Sequence, residues 1–268
     1  MNYKSKIKEM IWSFSRLSTF NKCKYAFYLN YLQEDNKEYL PEGNYYAEVG
    51  SFMHNILEKI FKGELQIKDA ANYFIDNYDS NVFYSVRESI MDKTYDKCLS
   101  YLADTDFDWI NQYEILGVEK EIKFKIEDKK FIGYIDLLLR DKSDGRIVVM
   151  DHKSDEYPFN KNGSIKAKCK ELFEDHKRQM YLYSYAINDE YHEYPKELRW
   201  NHFKDEGKVS LVVFDKKDYD KSIEWALNTI RAIETETDYI SDLDPQGSDF
   251  FFCNNICGFR NSCEYATI

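Results

Sequence analysis

Apolar positions fall into two regimes along the chain. Residues 15–102 repeat them every three or four positions, as helices do, whereas much of 115–214 alternates or runs apolar, as strands do. The spacing predicts a helix over 15–32, with Ser15 or Ser18 as N-cap and Leu17, Phe20, Phe27 and Tyr31 among its apolar residues. A second helix is expected over 50–61, carried by Phe52, Met53, Ile56, Leu57 and Ile60. Two more follow from Asp69 to about Leu102, broken near Asp79-Ser80, which makes 40–102 an all-helical layer. Strands over 115–126 and 130–139 would pair around the polar turn Glu127-Asp128-Lys129. A turn at 141–145 leads into a strand over 146–153, built on Ile147-Val-Val-Met150. A lysine-bearing loop to about Ala167, a helix over 170–188, short strands over 198–203 and 209–214, and a helix over 222–235 complete the pattern. From Ser241 the tail has no period. The order predicts an α/β fold: a central mixed sheet flanked by helices, with an N-terminal helical layer and a C-terminal cysteine-rich tail.

Composition narrows the class. Of 268 residues, 43% are hydrophobic, 32% charged and 17% aromatic, too apolar for a disordered chain, and no run approaches the ~18 apolar residues of a membrane span. Residues 1–11 alternate lysine with single apolar residues and lack a signal-peptide core, which predicts a cytoplasmic protein that does not engage membranes. With 10 Gly and 4 Pro there is little linker, so one domain is expected over 1–268, mainly helical to 110, with the sheet over 111–240 and the tail over 241–268. The net charge of −11 argues against diffuse coating of DNA. It leaves nucleic acid open as a substrate, provided that cations gather locally or a metal ion supplies positive charge.

Two acids stand where acids are costly. Asp136 lies inside Phe131-Ile-Gly-Tyr-Ile-Asp-Leu-Leu-Leu139, and Asp151 ends the apolar run 147–150. Alternation puts Asp151 and Lys153 on one strand face, and Glu119 and Glu121 on one face of the strand before. A buried Asp–Lys pair alone contributes little stability. A divalent-cation site with oxygen ligands, suited to Mg²⁺ or Mn²⁺, accounts for the acids better.

Asp136, fourteen residues, then Asp151-His152-Lys153 form the D…(D/E)-x-K signature of the PD-(D/E)XK nucleases. More particularly the chain resembles the RecB-like branch, including the AddB-type and CRISPR-adaptation nucleases that carry an iron–sulfur cluster. Gly133-Tyr-Ile-Asp136 is similar to that branch's G-x-[IV]-D, and Asp151-His-Lys-Ser154 to its D-[YF]-K-[ST]. Gly50-Ser-Phe-Met-His54 matches G-x-x-x-H, and Gln179-Met-Tyr-Leu-Tyr183 matches Q-x-x-x-Y, all in the family's order. The resemblance implies a restriction-endonuclease-like fold in which His54, Asp136, Asp151 and the backbone carbonyl of His152 bind the metal. Lys153 would orient or deprotonate the attacking water, or stabilise charge on the phosphate. Glu119 resembles the family's upstream acid, with Glu121 in phase as the alternative. Gln179 and Tyr183, four apart on one helix face, would support the metal site or the DNA, though Tyr183 also reads as core. The implied activity is a DNA exonuclease acting on ends or single strands. The alternative is a nucleic-acid-binding or assembly subunit of a recombination or adaptation complex that keeps the fold without turnover. No G-x-x-x-x-G-K-[ST] loop is present, so unwinding would come from a helicase or adaptation-complex partner.

Cys253, Cys257 and Cys263 supply three thiolates in eleven residues, and Cys23 is the candidate fourth. One early and three late cysteines resemble the branch's [4Fe-4S] pattern, although Lys24 stands where the family commonly has proline. Structural zinc on the same thiolates is the rival. Either would tie together positions 230 residues apart. Cys98 and Cys169 read as ordinary. Lys161, Lys166, Lys168, Lys170, Lys177 and Arg178 form a basic run that either binds DNA phosphates or is a solvated surface.

Overall fold

The computed structural model describes residues 3–33 and 40–266. Five strands form one sheet in the order β1-β2-β3-β4-β5: Tyr113–Ile126, Lys129–Asp141, Ile147–Lys153, Glu197–His202 and Lys208–Val213. Neighbours run antiparallel except β3 and β4, which are parallel, so the sheet is mixed. A parallel pair needs a crossover. It is the long helix α7, Lys170–Tyr191, the seventh of eight α-helices in chain order among the described residues. With α2 (Phe14–Lys22) and α8 (Lys216–Thr235) it covers one face of the sheet. The helices α4 (Tyr45–Phe61), α5 (Ala70–Asn77) and α6 (Glu88–Asp104) cover the other.

Each face has its own core, and β3 feeds both. Ile147 and Val149 enter the first, Val148 and Met150 the second, which is why this strand reads as an unbroken apolar run. On β2 the alternation slips. Ile135 packs in the first core but Leu137, two residues on, packs in the second, so the change of phase falls at Asp136.

Helix starts differ from the sequence expectation where a polar cap lies upstream of the apolar period. Ser13 caps α2, accepting from the Arg16 amide at 3.3 Å. Asn44 caps α4 six residues before the expected start at Gly50, and Asp215 caps α8 seven before Ser222. The gap between α5 and α6 runs from Tyr78 to Arg87 rather than breaking at one point. The expected helix over 15–32 is interrupted at Cys23, whose extended backbone (φ −157°, ψ 113°) separates α2 from the short α3 (Lys24–Phe27) and a π-helical turn over Tyr28–Leu32. A helical period persists across such a break because it adds no residue, so the sequence alone does not reveal it.

Candidate active site

The β2–β3 ladder stops at Leu137–Met150. Beyond it the outer part of β2 is taken up on that side by Trp12, whose amide donates to Lys130 O and whose carbonyl accepts from Ile132 N, both at 2.8 Å. β3 therefore parts from β2, and the candidate residues line the fork.

Asp136 stands at its apex. Its Oδ2 accepts from the His152 amide at 2.7 Å, where a backbone carbonyl would otherwise continue the ladder. The carboxyl is 9% exposed. Burial, reinforced by neighbouring Asp151, pushes its pKa up to about 7. From α4, His54 brings Nδ1 to 3.5 Å from Asp136 Oδ2 and 4.0 Å from Glu119 Oε1. Burial opposes protonation of His54, but Glu119, Asp136 and Asp151 outweigh it and raise its pKa. One atom each of His54, Glu119 and Asp136 lies within 4.8 Å of the others, a spacing that a single cation can bridge. Glu119 reaches this position with φ at +48°, in the left-handed region, an uncommon conformation for a non-glycine residue inside a strand. That turn also separates it from Glu121, which was expected in phase. Glu121 pairs instead with Lys123 at 2.6 Å and accepts from Tyr134 Oη at 3.0 Å, outside the cation group.

Asp151 and Lys153 share the α7 face of β3, as alternation requires. Lys153 Nζ lies 2.6 Å from Asp151 Oδ2, and this buried oxygen has no hydrogen bond of good geometry, only the ion pair. Asp151 borders the cation group without belonging to it. Lys153 also donates to Gln179 Oε1 at 3.1 Å, and Gln179 Nε2 donates to Tyr183 Oη at 3.0 Å. The side chain of His152 faces the opposite core, stacked on Phe61 with ring centroids 5.7 Å apart and accepting from Asn201 at Nδ1. Its carbonyl, expected as a metal ligand, lies 2.9 Å from His54 Nε2.

The family model of the PD-(D/E)XK nuclease superfamily matches residues 11–264. The chain belongs to the PD-(D/E)XK nuclease superfamily. Among solved structures, a candidate exonuclease from Eubacterium rectale superposes with a TM-score of 0.50 at 13% identity, covering 95% of this chain and 92% of that one, a likeness of fold. The structure of SSO0001 aligns at a TM-score of 0.34 and 14% identity, covering 95% and 96%. No curated protein matches the sequence. The mixed sheet with helices on both faces is the restriction-endonuclease-like fold of this superfamily, whose members use divalent metals.

The residues of this superfamily member fit such a metal. The donors are hard oxygens and one imidazole, Asp136 is buried beside a second carboxylate that makes its ionisation costly, and Asp151 keeps a buried oxygen without a proper donor. The sequence reading missed one neighbouring network. Asp155 Oδ1 lies 2.9 Å from His202 Nδ1, and His202 Nε2 lies 2.8 Å from Ser210 Oγ. His176 of α7 approaches Asp155 at 3.6 Å, and burial, with Lys153 adding to it, pushes the His176 pKa down to about 4. The Ser–His–Asp order suggests a nucleophile, but His202 and Ser210 are sealed from solvent, so the network fastens the end of β3 to β4 and no substrate reaches it. The signal for it was His202 itself, a polar residue in phase with Leu198 and Trp200 on the buried face of its strand.

Most of the basic run is neutralised locally. Lys168 pairs with Glu156 at 2.7 Å, Lys177 with Glu174 at 2.8 Å and Arg178 with Asp175 at 2.6 Å, and Lys166 donates to Tyr157 O at 2.6 Å. The four candidate cysteines do come together. Cys23, Cys253, Cys257 and Cys263 line one small, largely apolar cavity, held by Glu42 N donating to Gly258 O at 2.7 Å and by the Lys22–Asp249 pair at 2.9 Å. The break at Cys23 is what turns that thiol toward the tail. No three of these sulfurs lie within 4.8 Å of one another. Cys98 is buried in the second core, and Cys169 donates to Glu156 at 3.2 Å; neither borders the cavity.

Proposed function

We propose that this chain is a Mg²⁺- or Mn²⁺-dependent deoxyribonuclease that works as an exonuclease on DNA ends or single strands. The observation that carries the reading is the convergence of Asp136, Asp151, Lys153, His54 and Glu119 in the fork between β2 and β3, with a carboxylate oxygen buried there and not properly hydrogen-bonded. His54, Glu119 and Asp136 would hold the ion, with Asp151 alongside. When bound, the ion polarises the scissile phosphate and lowers the pKa of a water molecule. The Lys153 ammonium faces the same space, and it orients the attacking water or stabilises the charge that develops on the phosphate. Asp151 and Gln179 fix that ammonium from two sides. A subunit that only bound DNA would have no use for this costly arrangement.

The same reading puts a [4Fe-4S] cluster on Cys23, Cys253, Cys257 and Cys263. Structural zinc on the same four thiolates is the rival, and the order of one early and three late cysteines favours the cluster. Its role would be to staple the tail to the α2–α3 break.

Digestion of end-labelled single- and double-stranded DNA tests the proposal. Cleavage is expected with Mg²⁺ or Mn²⁺, to stop on adding EDTA, and to release label progressively from one end. Equal cleavage in EDTA would refute the metal site, and purely internal cuts would refute the exonuclease mode.

A further inference from the structure

Gly133 lies on β2 opposite Ile122, three residues before Asp136. Its φ is outside the left-handed region, so the backbone does not demand glycine there. Space does. A Cβ on Gly133 would lie 2.5 Å from Tyr183 Cε1 and 3.2 Å from Cδ1 and Cζ of the same ring. The ring belongs to α7 and is buried, so it has little room to retreat. From this seat the Tyr183 hydroxyl accepts from Gln179 Nε2 at 3.0 Å, and Gln179 Oε1 accepts from Lys153 Nζ at 3.1 Å. An amide has one accepting end and one donating end. With Tyr183 holding the N–H₂ group, the carbonyl end faces the ammonium; a flipped amide would set N–H against N–H.

On the nuclease reading above, we infer that Gly133 is a positioning residue: its bare Cα seats Tyr183 across β2, and Tyr183 fixes the Gln179 amide so that its oxygen holds the Lys153 ammonium in the fork. The relay runs from β2 through α7 to β3 and includes no residue of the cation group. It gives the glycine of G-x-I-D a function distinct from that of the aspartate three residues on. Tyr183 also acquires a use beyond packing, because its hydroxyl holds the N–H₂ end of the amide whose oxygen the donor-only ammonium takes.

A double-mutant cycle of Gly133→Ala and Tyr183→Phe, read in single-turnover cleavage with saturating Mn²⁺, tests the relay. Tyr183→Phe keeps the ring and removes the acceptor, and the rate is expected to fall about 3–10-fold. Gly133→Ala should lower it at least as much. The double variant should be no slower than Gly133→Ala within about two-fold, since one path is already broken. The Mn²⁺ concentration for half-maximal rate should not move. Losses that multiply, or a weakened Mn²⁺ response, would overturn the inference.

Melting supplies an activity-free arm. Gly133→Ala should lower Tm by roughly 3–8 °C in the natural background and by far less beside Tyr183→Ala, where the methyl enters vacated space. An equal fall in both backgrounds would also overturn it. Failure of the natural protein to cleave DNA with any metal would sink the nuclease reading instead, while this melting comparison would still report whether Tyr183 requires a bare Cα at Gly133.

Discussion

Asp151→Asn and Lys153→Met are each expected to reduce DNA cleavage by at least about 10³-fold while leaving a folded protein. Both substitutions keep side-chain volume, so they separate chemistry from packing. The fork holds the Lys153 ammonium against the cation group's acids, and Asp151 and Gln179 direct it there. Removing either member of the pair also strands the other in a buried setting, which costs about 3–5 kcal/mol when a partner is simply lost. The variants should therefore melt below the natural protein, and activity is to be compared well under both melting temperatures. Retained circular dichroism and DNA affinity with no product is the expected combination. Cleavage within ten-fold of the natural rate by either variant would mean that the chemistry takes place elsewhere.

The second large effect concerns the tail. Protein purified without oxygen should absorb broadly near ~400 nm, and dithionite should bleach the band. Cys23→Ser should lose the colour and lower Tm by at least about 10 °C, because a group bound only in the folded state adds its binding energy to stability. Cys169→Ser, away from the cavity, should keep both. Apart from the four thiols, the described tail is fastened by direct bonds that include Glu42 to Gly258, Asn44 to Ile256, and Arg260 to Gly43. A colourless protein containing one zinc per chain would refute the cluster, and unchanged melting of Cys23→Ser would refute the staple.

Much of this architecture was legible in the order of residues because buried strands advertise themselves. The run Ile147-Val-Val-Met150 is apolar on both faces since it serves two cores, and an aspartate at its end is conspicuous. Asp136 stood out for the same reason. Other features depend on geometry that has no period. Glu119 and Glu121 are equivalent by alternation, and only the positive φ at Glu119 separates them. The helical break at Cys23 preserves the apolar spacing on both sides, so it was read as one helix. Lys168, Lys177 and Arg178 looked like a basic surface because their acidic partners, at 156, 174 and 175, are polar residues that a reading of charge runs passes over. The role of Gly133 needed the Tyr183 ring in place, since glycine in a strand has many possible uses.

The central claim is that two acids among apolar strands are tolerated because a divalent cation sits with them, and stability can test this without any nucleic acid. Asp136 has its pKa raised to about 7, so the metal-free folded state binds this proton more tightly than the unfolded chain does. Its contribution is most favourable at acid pH and is lost as pH rises from about 4 through 7, leaving a penalty of roughly 2–4 kcal/mol at pH 8. Asp136→Asn keeps an oxygen for the His152 amide and removes that charge. Melting of both proteins at pH 8, with EDTA and with Mn²⁺, is therefore the most direct measurement. The account predicts that the variant melts above the natural protein in EDTA, and that Mn²⁺ raises the natural protein's Tm but not the variant's. A variant that melts lower in EDTA, or a natural protein whose Tm ignores Mn²⁺, would contradict it.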